Sequence, residues 1–383
     1  MRLGIVCSMV GLTGYAELGR ECVLGLHKLG VDIELKVLDK DLLKYSLLPE
    51  NILKFVKKHT VKNFTKGIPV FTIGPPTQYD RSSGGKQIGI ALWEAYVLPT
   101  SWLLVMNSAD LLITFSDFNK ELFVRQGLAR DKIEVVPPAV DCVKFNPSIP
   151  PLYIQAVRPF TVLFIGQMIL RKGYNKLIIA ALRTFKKHED VCVILKLPPS
   201  SARDTALIME KLQFIKREAG PSKAALYFNN SAVPIEKIPM LYQIVNKKVI
   251  DKLYPYLPGS LSPAGVFCLP SLGEGIGLPY LEAMASGVLT IGTNVTGSYF
   301  LNNNNSILIQ TEGVKRSEAD QSLYGNSFFP GISSSAVSEA LLKAYNISSV
   351  DKQAIIKQAR LDAEGFTYEK TCKAILAAIQ QRI

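Results

Sequence analysis

The sequence lacks the features of several protein classes. Its 383 residues include no apolar run long enough to span a bilayer. The N-terminal string MRLGIVCSMVG is interrupted by Gly11 too early for a signal peptide, and it predicts a first strand instead. The cysteines form no CxxC pair and no metal-ligand spacing. They are Cys7, Cys22, Cys142, Cys192, Cys268 and Cys372. Because several fall in predicted strands or helices, we expect buried free thiols in a reducing, cytoplasmic compartment.

Signals for common cofactors and for nucleic acid are also missing. Residues 8–15, after the first predicted strand, contain Gly11 and Gly14 but not the G-x-G-x-x-G of a dinucleotide site, so a nicotinamide cofactor is not indicated. No nucleic-acid motif is present, and aromatic residues are not interleaved with the basic ones. The D-x-D string that begins at Asp39 follows the second predicted strand and is expected to lie beside no phosphate loop, so it predicts no metal site.

The net charge is strongly positive, at +12. The densest basic cluster comprises Lys54, Lys57, Lys58, His59, Lys62 and Lys66. Four of its lysines fall at helical spacing among apolar residues. This pattern is typical of a solvated helix face, and it also suits a patch that touches an anionic membrane surface.

Short apolar strands alternate with helical segments along the whole chain, which predicts an α/β fold with parallel sheets covered on both faces. The proline-rich stretch 145–159 marks a change of domain. We therefore expect a Rossmann-like domain over residues 1–150, a second over 151–365 and a terminal helix over 366–383. Residues 246–263 form an insertion of unknown role.

The most informative stretch is Pro270–Gly287. A short apolar strand precedes it, a loop with Glu274, Gly275 and Gly277 follows, and Pro279 then opens a helix. The glycines permit positive φ, and the loop amides at a helix start suit phosphate or sugar oxygens. Glu282 falls about one turn into the helix. Two carboxylates at an anion-friendly loop suit a nucleotide sugar, although an ordinary strand-loop-helix turn with a capping Glu is the alternative.

This stretch resembles the E-x-x-x-x-x-x-x-E signature of the retaining glycosyltransferases with the GT-B fold, specifically glycosyltransferase family 4 (glycosyl transferases group 1). The resemblance implies two Rossmann-like domains that face each other across a cleft, with the terminal helix crossing back to the first. It implies that Glu274 binds hydroxyls of the donor sugar and Glu282 the ribose. The loop amides would bind phosphate; they belong to Gly275, Ile276, Gly277 and Leu278.

Other segments match the same family. Gly11 and Gly14 resemble its glycine loop over the donor phosphates, and residues 166–173 resemble its G-R…R-K-G string. Lys172 matches the Lys that holds the diphosphate leaving group. Gln167 stands at the Arg position without a charge, so that stabilisation is weaker or shared with Arg171. The base would lie near Asn230–Val233, held mostly by backbone, as the family implies.

Many family members place a His beside the donor sugar, but the three histidines here fall elsewhere, and Glu94 stands at about that place in a W-E string. Glu94 either positions or deprotonates the acceptor hydroxyl, or is a structural carboxylate. The expected activity is retaining, metal-independent transfer of a hexose from a UDP- or GDP-type sugar to a glycan, lipid or protein, with peripheral membrane contact. The alternatives are a same-fold epimerase or hydrolase and, because of Gln167 and the missing His, a degenerate sugar-nucleotide-binding protein.

Overall fold

The computed structural model describes residues 1–11, 13–39, 47–152, 154, 156–246, 265–316, 321–325 and 327–382. The chain forms two compact units. The first comprises Met1–Ala139, Pro234–Glu236 and Phe366–Ile383, and the second comprises Val140–Val233 and Lys237–Gly365. Apart from Asn246, the insertion expected at 246–263 lies outside the described residues.

Strands and helices alternate for most of the chain. The strands are β1 (Arg2–Cys7), β2 (Asp32–Val37), β3 (Val70–Ile73), β4 (Gln87–Ile90), β5 (Leu111–Thr114), β6 (Ile133–Val135), β7 (Phe160–Ile165), β8 (Val191–Lys196), β9 (Ala225–Asn229), β10 (Val266–Leu269), β11 (Thr290–Gly292), β12 (Ile307–Leu308), β13 (Val314–Arg316) and β14 (Phe328–Pro330). The helices are α1 (Gly14–Lys28), α2 (Glu50–His59), α3 (Thr100–Asn107), α4 (Asp117–Arg125), α5 (Tyr174–Thr184), α6 (Ala202–Ala219), α7 (Ile238–Tyr242), α8 (Leu278–Ala285), α9 (Gln321–Tyr324), α10 (Ser334–Asn346), α11 (Ser349–Gly365) and α12 (Tyr368–Arg382).

The first unit is built on a parallel six-stranded sheet in the order β2-β1-β3-β4-β5-β6. Its strands β3, β4 and β5 are buried along their whole length, as expected for a sheet with helices on its faces. The helix starts are capped locally: Thr13 Oγ1 accepts from the Ala16 N–H at 3.3 Å, and Ser116 Oγ accepts from the Asn119 N–H at 3.3 Å. Apolar periodicity predicts helix starts at Glu17 and Lys120, and these caps explain why α1 and α4 begin three residues earlier.

The second unit has a parallel six-stranded sheet in the order β12-β11-β10-β7-β8-β9, and β13 and β14 form a separate antiparallel pair. The chain runs outward from β7 through β8 to β9, and then returns to place β10 on the other side of β7. The strand order therefore reverses between β7 and β10. In open α/β sheets, ligands bind beyond the carboxyl ends of the strands at such a point.

The C-terminal helix α12 belongs to the first unit. The hydroxyl of Thr371 donates to the Pro137 carbonyl at 2.9 Å, and Cys372 is fully buried against α1. A Cβ added at Gly25 of α1 would lie 2.5 Å from the Cys372 sulfur, so this helix pair depends on a glycine for its close approach.

The predicted α/β class with two parallel-sheet units is confirmed. All six cysteines are free and all but Cys142 are buried, as expected. The helix α3 and the strands β12, β13 and β14 are absent from the sequence-based prediction. Each of these three strands has only two or three residues, too few to show a hydrophobic period. In the described ranges, no helix combines the length and the apolar character that a membrane crossing requires.

Candidate functional site

The centre of the second unit's site is an ion pair between two loops. Lys172 lies in a 3-10 turn after β7, and Glu274 lies in the loop after β10. The Lys172 Nζ donates to Glu274 Oε1 at 2.6 Å and to Oε2 at 2.7 Å. The Glu274 residue is 5% exposed. The pair thus joins the loops that flank the reversal of strand order.

The two loops are also fastened through their backbones. The Leu272 N–H donates to the Arg171 carbonyl at 2.7 Å. Gly173 has φ +67°, and a Cβ there would lie 2.0 Å from the Pro270 carbonyl oxygen. Arg171 is 8% exposed, and its guanidinium donates to the Gly273 carbonyl. Lys172 therefore reaches Glu274 from a rigid turn, because only glycine allows the loops to approach this closely.

Two neighbouring cations determine the protonation state of Glu274. Burial by itself would raise the pKa of its carboxyl, but the nearby charges of Lys172 and Arg171 hold that pKa below its usual value. The Arg171 Nη1 lies 3.8 Å from Glu274 Oε2. The site therefore holds a buried, ionised carboxylate, which accepts hydrogen bonds from hydroxyl groups.

The loop after Glu274 leads directly into α8. Thr296 fixes the start of this loop: its hydroxyl accepts from the Glu274 N–H at 2.8 Å and donates to the Glu274 carbonyl at 2.9 Å. The N–H groups of Gly275, Ile276 and Gly277 donate to no acceptor in the described part of the chain. Leu278 then begins the helix. Both glycines of this loop permit positive φ, but only Gly277 adopts it, at +85°.

The second carboxylate of the motif, Glu282, has a donor of its own. The buried Tyr242 of α7 donates its hydroxyl to Glu282 Oε2 at 2.5 Å. Sequence reasoning missed Tyr242, because it lies forty residues upstream and matches no motif.

The remaining predicted residues of the second unit lie near the same sheet edge. Gln167 is exposed, two residues beyond β7, and Val233 is 9% exposed after β9. Lys196, the last residue of β8, was also missed. Its strand, VCVILK, is otherwise apolar, and nothing in its spacing predicts a ligand contact.

The glycine loop of the first unit contradicts one expectation. Asp39 Oδ2 accepts from the N–H groups of Val10 at 2.8 Å and Gly11 at 2.5 Å. The prediction that this aspartate lies beside no phosphate-type loop is therefore wrong, because β1 and β2 are neighbours and the segments after them meet. Gly14 is the first residue of α1. The other two residues of the D-x-D string lie outside the described residues.

Glu94 is half-buried in the segment after β4. Its neighbour Trp93 is fully buried, donates its ring N–H to the Val97 carbonyl at 2.9 Å and packs edge-on against Trp102. The W-E string thus forms a tight loop around an indole, and Glu94 projects from a fixed backbone.

The histidines pack against other rings. His27 and His59 lie 5.1 Å apart, centroid to centroid, beside Phe55. The Nδ1 of His188 lies 3.4 Å from the carboxylate of Asp190, just before β8 begins. In the ranges that the structure describes, no group of three or more His, Cys, Asp or Glu side chains could hold a metal ion.

Comparison with known proteins gives matches to a glycosyl transferase family model and to curated proteins. The family model of glycosyl transferases group 1 matches residues 244–320, which include the Glu274 loop. The alpha-maltose-1-phosphate synthase of Mycolicibacterium smegmatis is 24% identical over 234 residues, which cover 58% of this chain and 51% of that protein. The D-inositol 3-phosphate glycosyltransferase of Paenarthrobacter aurescens is 28% identical over 200 residues, 51% of this chain and 43% of that protein. The chain thus spans about half the length of the curated relatives it matches.

Solved structures match over the whole chain. Anabaena HepE in complex with UDP and glucose has a TM-score of 0.64 and 12% identity, with 100% of both chains covered. A glycosyltransferase from Rickettsia africae has a TM-score of 0.66 and 16% identity, and covers 100% of this chain and 98% of its own. The chain therefore has the GT-B fold of these enzymes. Together with the family model, these matches support a group 1 glycosyltransferase.

Replacing Glu274 with Gln is expected to destabilise the protein most at neutral pH. The folded-state pKa of Glu274 is lowered. Its contribution to the free energy of unfolding is therefore present above the unfolded-state pKa and is lost as pH falls through the folded-state pKa. We expect a loss of about 3 kcal/mol at pH 7 in urea unfolding, since the buried Arg171 and the partly buried Lys172 lose their anion. The loss should shrink below about pH 4.5. A double variant with Lys172→Met should lose less than the Gln single variant, and a pH-independent loss would contradict the assignment.

Gly173→Ala is expected to destabilise the fold by about 2 kcal/mol more than Gly313→Ala, a control in the same unit. Both glycines have positive φ, at +67° and +60°, but only the Cβ at 173 would meet another atom within 4 Å. The difference between the two variants in thermal or urea unfolding therefore measures the loop–loop clash beyond the cost of a positive φ. Equal losses would mean that the loops can separate freely.

Proposed function

We propose that the chain is a retaining glycosyltransferase that moves a hexose from a UDP- or GDP-type sugar to a glycan, lipid or protein acceptor. The observation that carries the proposal is the ion pair of Lys172 with the buried Glu274, beside the N–H groups of Gly275–Gly277. It combines a cation and amide donors for a diphosphate with an ionised carboxylate for sugar hydroxyls.

In this proposal, Lys172 and the loop amides stabilise the charge that develops on the departing diphosphate. The helix α8 adds the positive end of its dipole. Arg171 is committed to the Gly273 carbonyl, so it supports the loop and the charge of Glu274 more than it reaches a ligand. Gln167 is exposed and supplies a hydrogen bond without a charge.

Glu274 binds hydroxyls of the transferred sugar, and Glu282 binds the ribose with its carboxylate oriented by Tyr242. Val233 and the backbone around it accept the base. In the first unit, Glu94 positions or deprotonates the acceptor hydroxyl. Gly11 and Gly14 serve the donor phosphates, and for this the Gly11 N–H must be released by Asp39.

The competing function is that of a degenerate binding protein, which the uncharged Gln167 favours. The retained Lys172, Glu274 and Glu282 favour an enzyme. A thermal-shift panel of UDP, GDP, ADP and their sugar conjugates tests both. One clear stabiliser supports a nucleotide site, and release of free nucleotide from the conjugate separates the enzyme from the binder. If none of them raises the melting temperature, the proposal is wrong.

Lys172→Ala is expected to lower turnover about 100-fold or more, with a smaller change in nucleotide affinity, because only amides and the helix dipole would remain for the leaving group. Gln167→Arg should be tolerated and should raise turnover if a second cation is limiting. Steady-state kinetics of both variants and of the double variant are the measurement. Normal turnover of Lys172→Ala would remove Lys172 from the reaction.

Transfer is expected to survive EDTA, because in the proposal positive groups of the protein replace a divalent ion. The measurement is the initial rate before and after dialysis against EDTA, with added Mg²⁺ and Mn²⁺ as the control arm. Loss of activity that either ion restores would show that a metal handles the diphosphate.

The basic cluster on and after α2 is proposed to touch an anionic membrane from the cytoplasmic side. Lys54, Lys57, Lys58 and Lys62 are exposed, and on α2 only Val56 is buried. We expect the protein to sediment with acidic but not with neutral vesicles, and Lys57→Glu with Lys58→Glu to abolish this. Equal binding to both kinds of vesicle would leave the cluster as a solvated face.

A further inference from the structure

Lys196 is a buried cation that the functions above leave unused. It is the last residue of β8 and is 7% exposed. Its Nζ donates to the carbonyl of Leu197 at 2.7 Å and to that of Ser231 at 2.8 Å. An ammonium carries three N–H donors, and among the described residues no third acceptor and no carboxylate partner meets this one.

The missing counter-charge is unusual for a buried lysine. Burial lowers the pKa of Lys196 to about 8, and among the described residues no neighbouring charge opposes that shift. Buried charges are normally paired, because leaving water is unfavourable for an ion. A neutral amide side chain would join the same two carbonyls without burying a charge. The charge and the third donor are therefore more than the local structure requires.

Lys196 lies at the carboxyl end of its strand, on the same side of the sheet as the candidate site. It pairs with Ile165 of β7 and with Asn229 of β9, and neighbouring strands are about 4.8 Å apart. Lys172 and Glu274 lie on the β10 side of β7, whereas the Lys196 ammonium is turned towards Ser231, after β9. A ligand that is held by Lys172 and extends along this edge away from β10 meets Lys196 at its far end.

We propose that Lys196 donates its third N–H to a carbonyl oxygen of the nucleobase and thereby selects uracil or guanine over adenine. This inference rests on the proposed function, since the diphosphate must lie at Lys172 for the base to lie beyond β8. An ammonium only donates, so it matches a ring carbonyl and opposes an amino group. Uracil and guanine have ring carbonyls, and adenine has none.

Isothermal titration of the full chain with UDP, GDP, ADP and pyrophosphate tests the proposal. The variants are Lys196→Met, which keeps the length but removes the donor, and Lys352→Met, a control at another buried lysine of the same unit. We expect the wild type to prefer UDP or GDP to ADP. Lys196→Met should weaken the preferred nucleotide about tenfold or more. It should change the affinities for ADP and pyrophosphate less than twofold, and Lys352→Met should change none of the affinities.

If Lys196→Met weakens the binding of ADP as much as that of the preferred nucleotide, Lys196 only holds the segment at Ser231. If it weakens the binding of pyrophosphate, the Lys196 charge acts on the phosphates. Either result overturns the proposal. Unchanged affinities, or a wild-type preference for ADP, overturn it as well. If the Met variant does not fold, the nucleotide preference of the wild type and the affinities of a Lys196→Gln variant test the proposal instead. If the wild type binds no nucleotide, the proposed function itself fails, whereas binding that Lys196→Met leaves intact removes only this role of Lys196.

Discussion

The ion pair between Lys172 and the buried Glu274 is the interaction on which the rest of the site depends. Its members come from loops about a hundred residues apart, and the Glu274 carboxylate would be costly to bury without a cation. A buried pair adds little net stability compared with apolar side chains of the same size. The close approach of the two loops at Gly173 and the hydrogen bond from the Leu272 N–H to the Arg171 carbonyl therefore serve mainly to hold two opposite charges at the candidate site.

The reversal of strand order explains why these loops meet. Because β10 lies beside β7, the segments that leave the carboxyl ends of both strands converge. The neighbours β8 and β9 extend the same edge, which places Lys196 and Val233 along it. One topological feature thus collects a cation, a carboxylate, the loop amides and a buried lysine from segments that are distant in sequence.

Sequence reasoning predicted what depends on local pattern. Buried parallel strands such as VFCL of β10 are continuous apolar runs, and the GEGIGLPYLEAMASG string carries its own loop and helix signals. It could not predict contacts set by strand order. Tyr242 on Glu282, Asp39 on Gly11 and Lys196 on Ser231 each join side chains to segments that are distant in sequence, and no spacing rule connects them. Gly275 shows a second limit, since a glycine permits positive φ without adopting it.

The assignment of α12 to the first unit has a consequence for how the protein is made. The ribosome completes the sheet of that unit by residue 135, but the helix that covers Cys22 of α1 and binds the Pro137 carbonyl is translated only after the second unit. During synthesis, the face of α1 that Cys372 buries stays uncovered while the entire second unit emerges. The first unit thus begins to emerge before the second unit but is completed after it, and a nascent chain that stalls before residue 366 would expose that apolar face to chaperones.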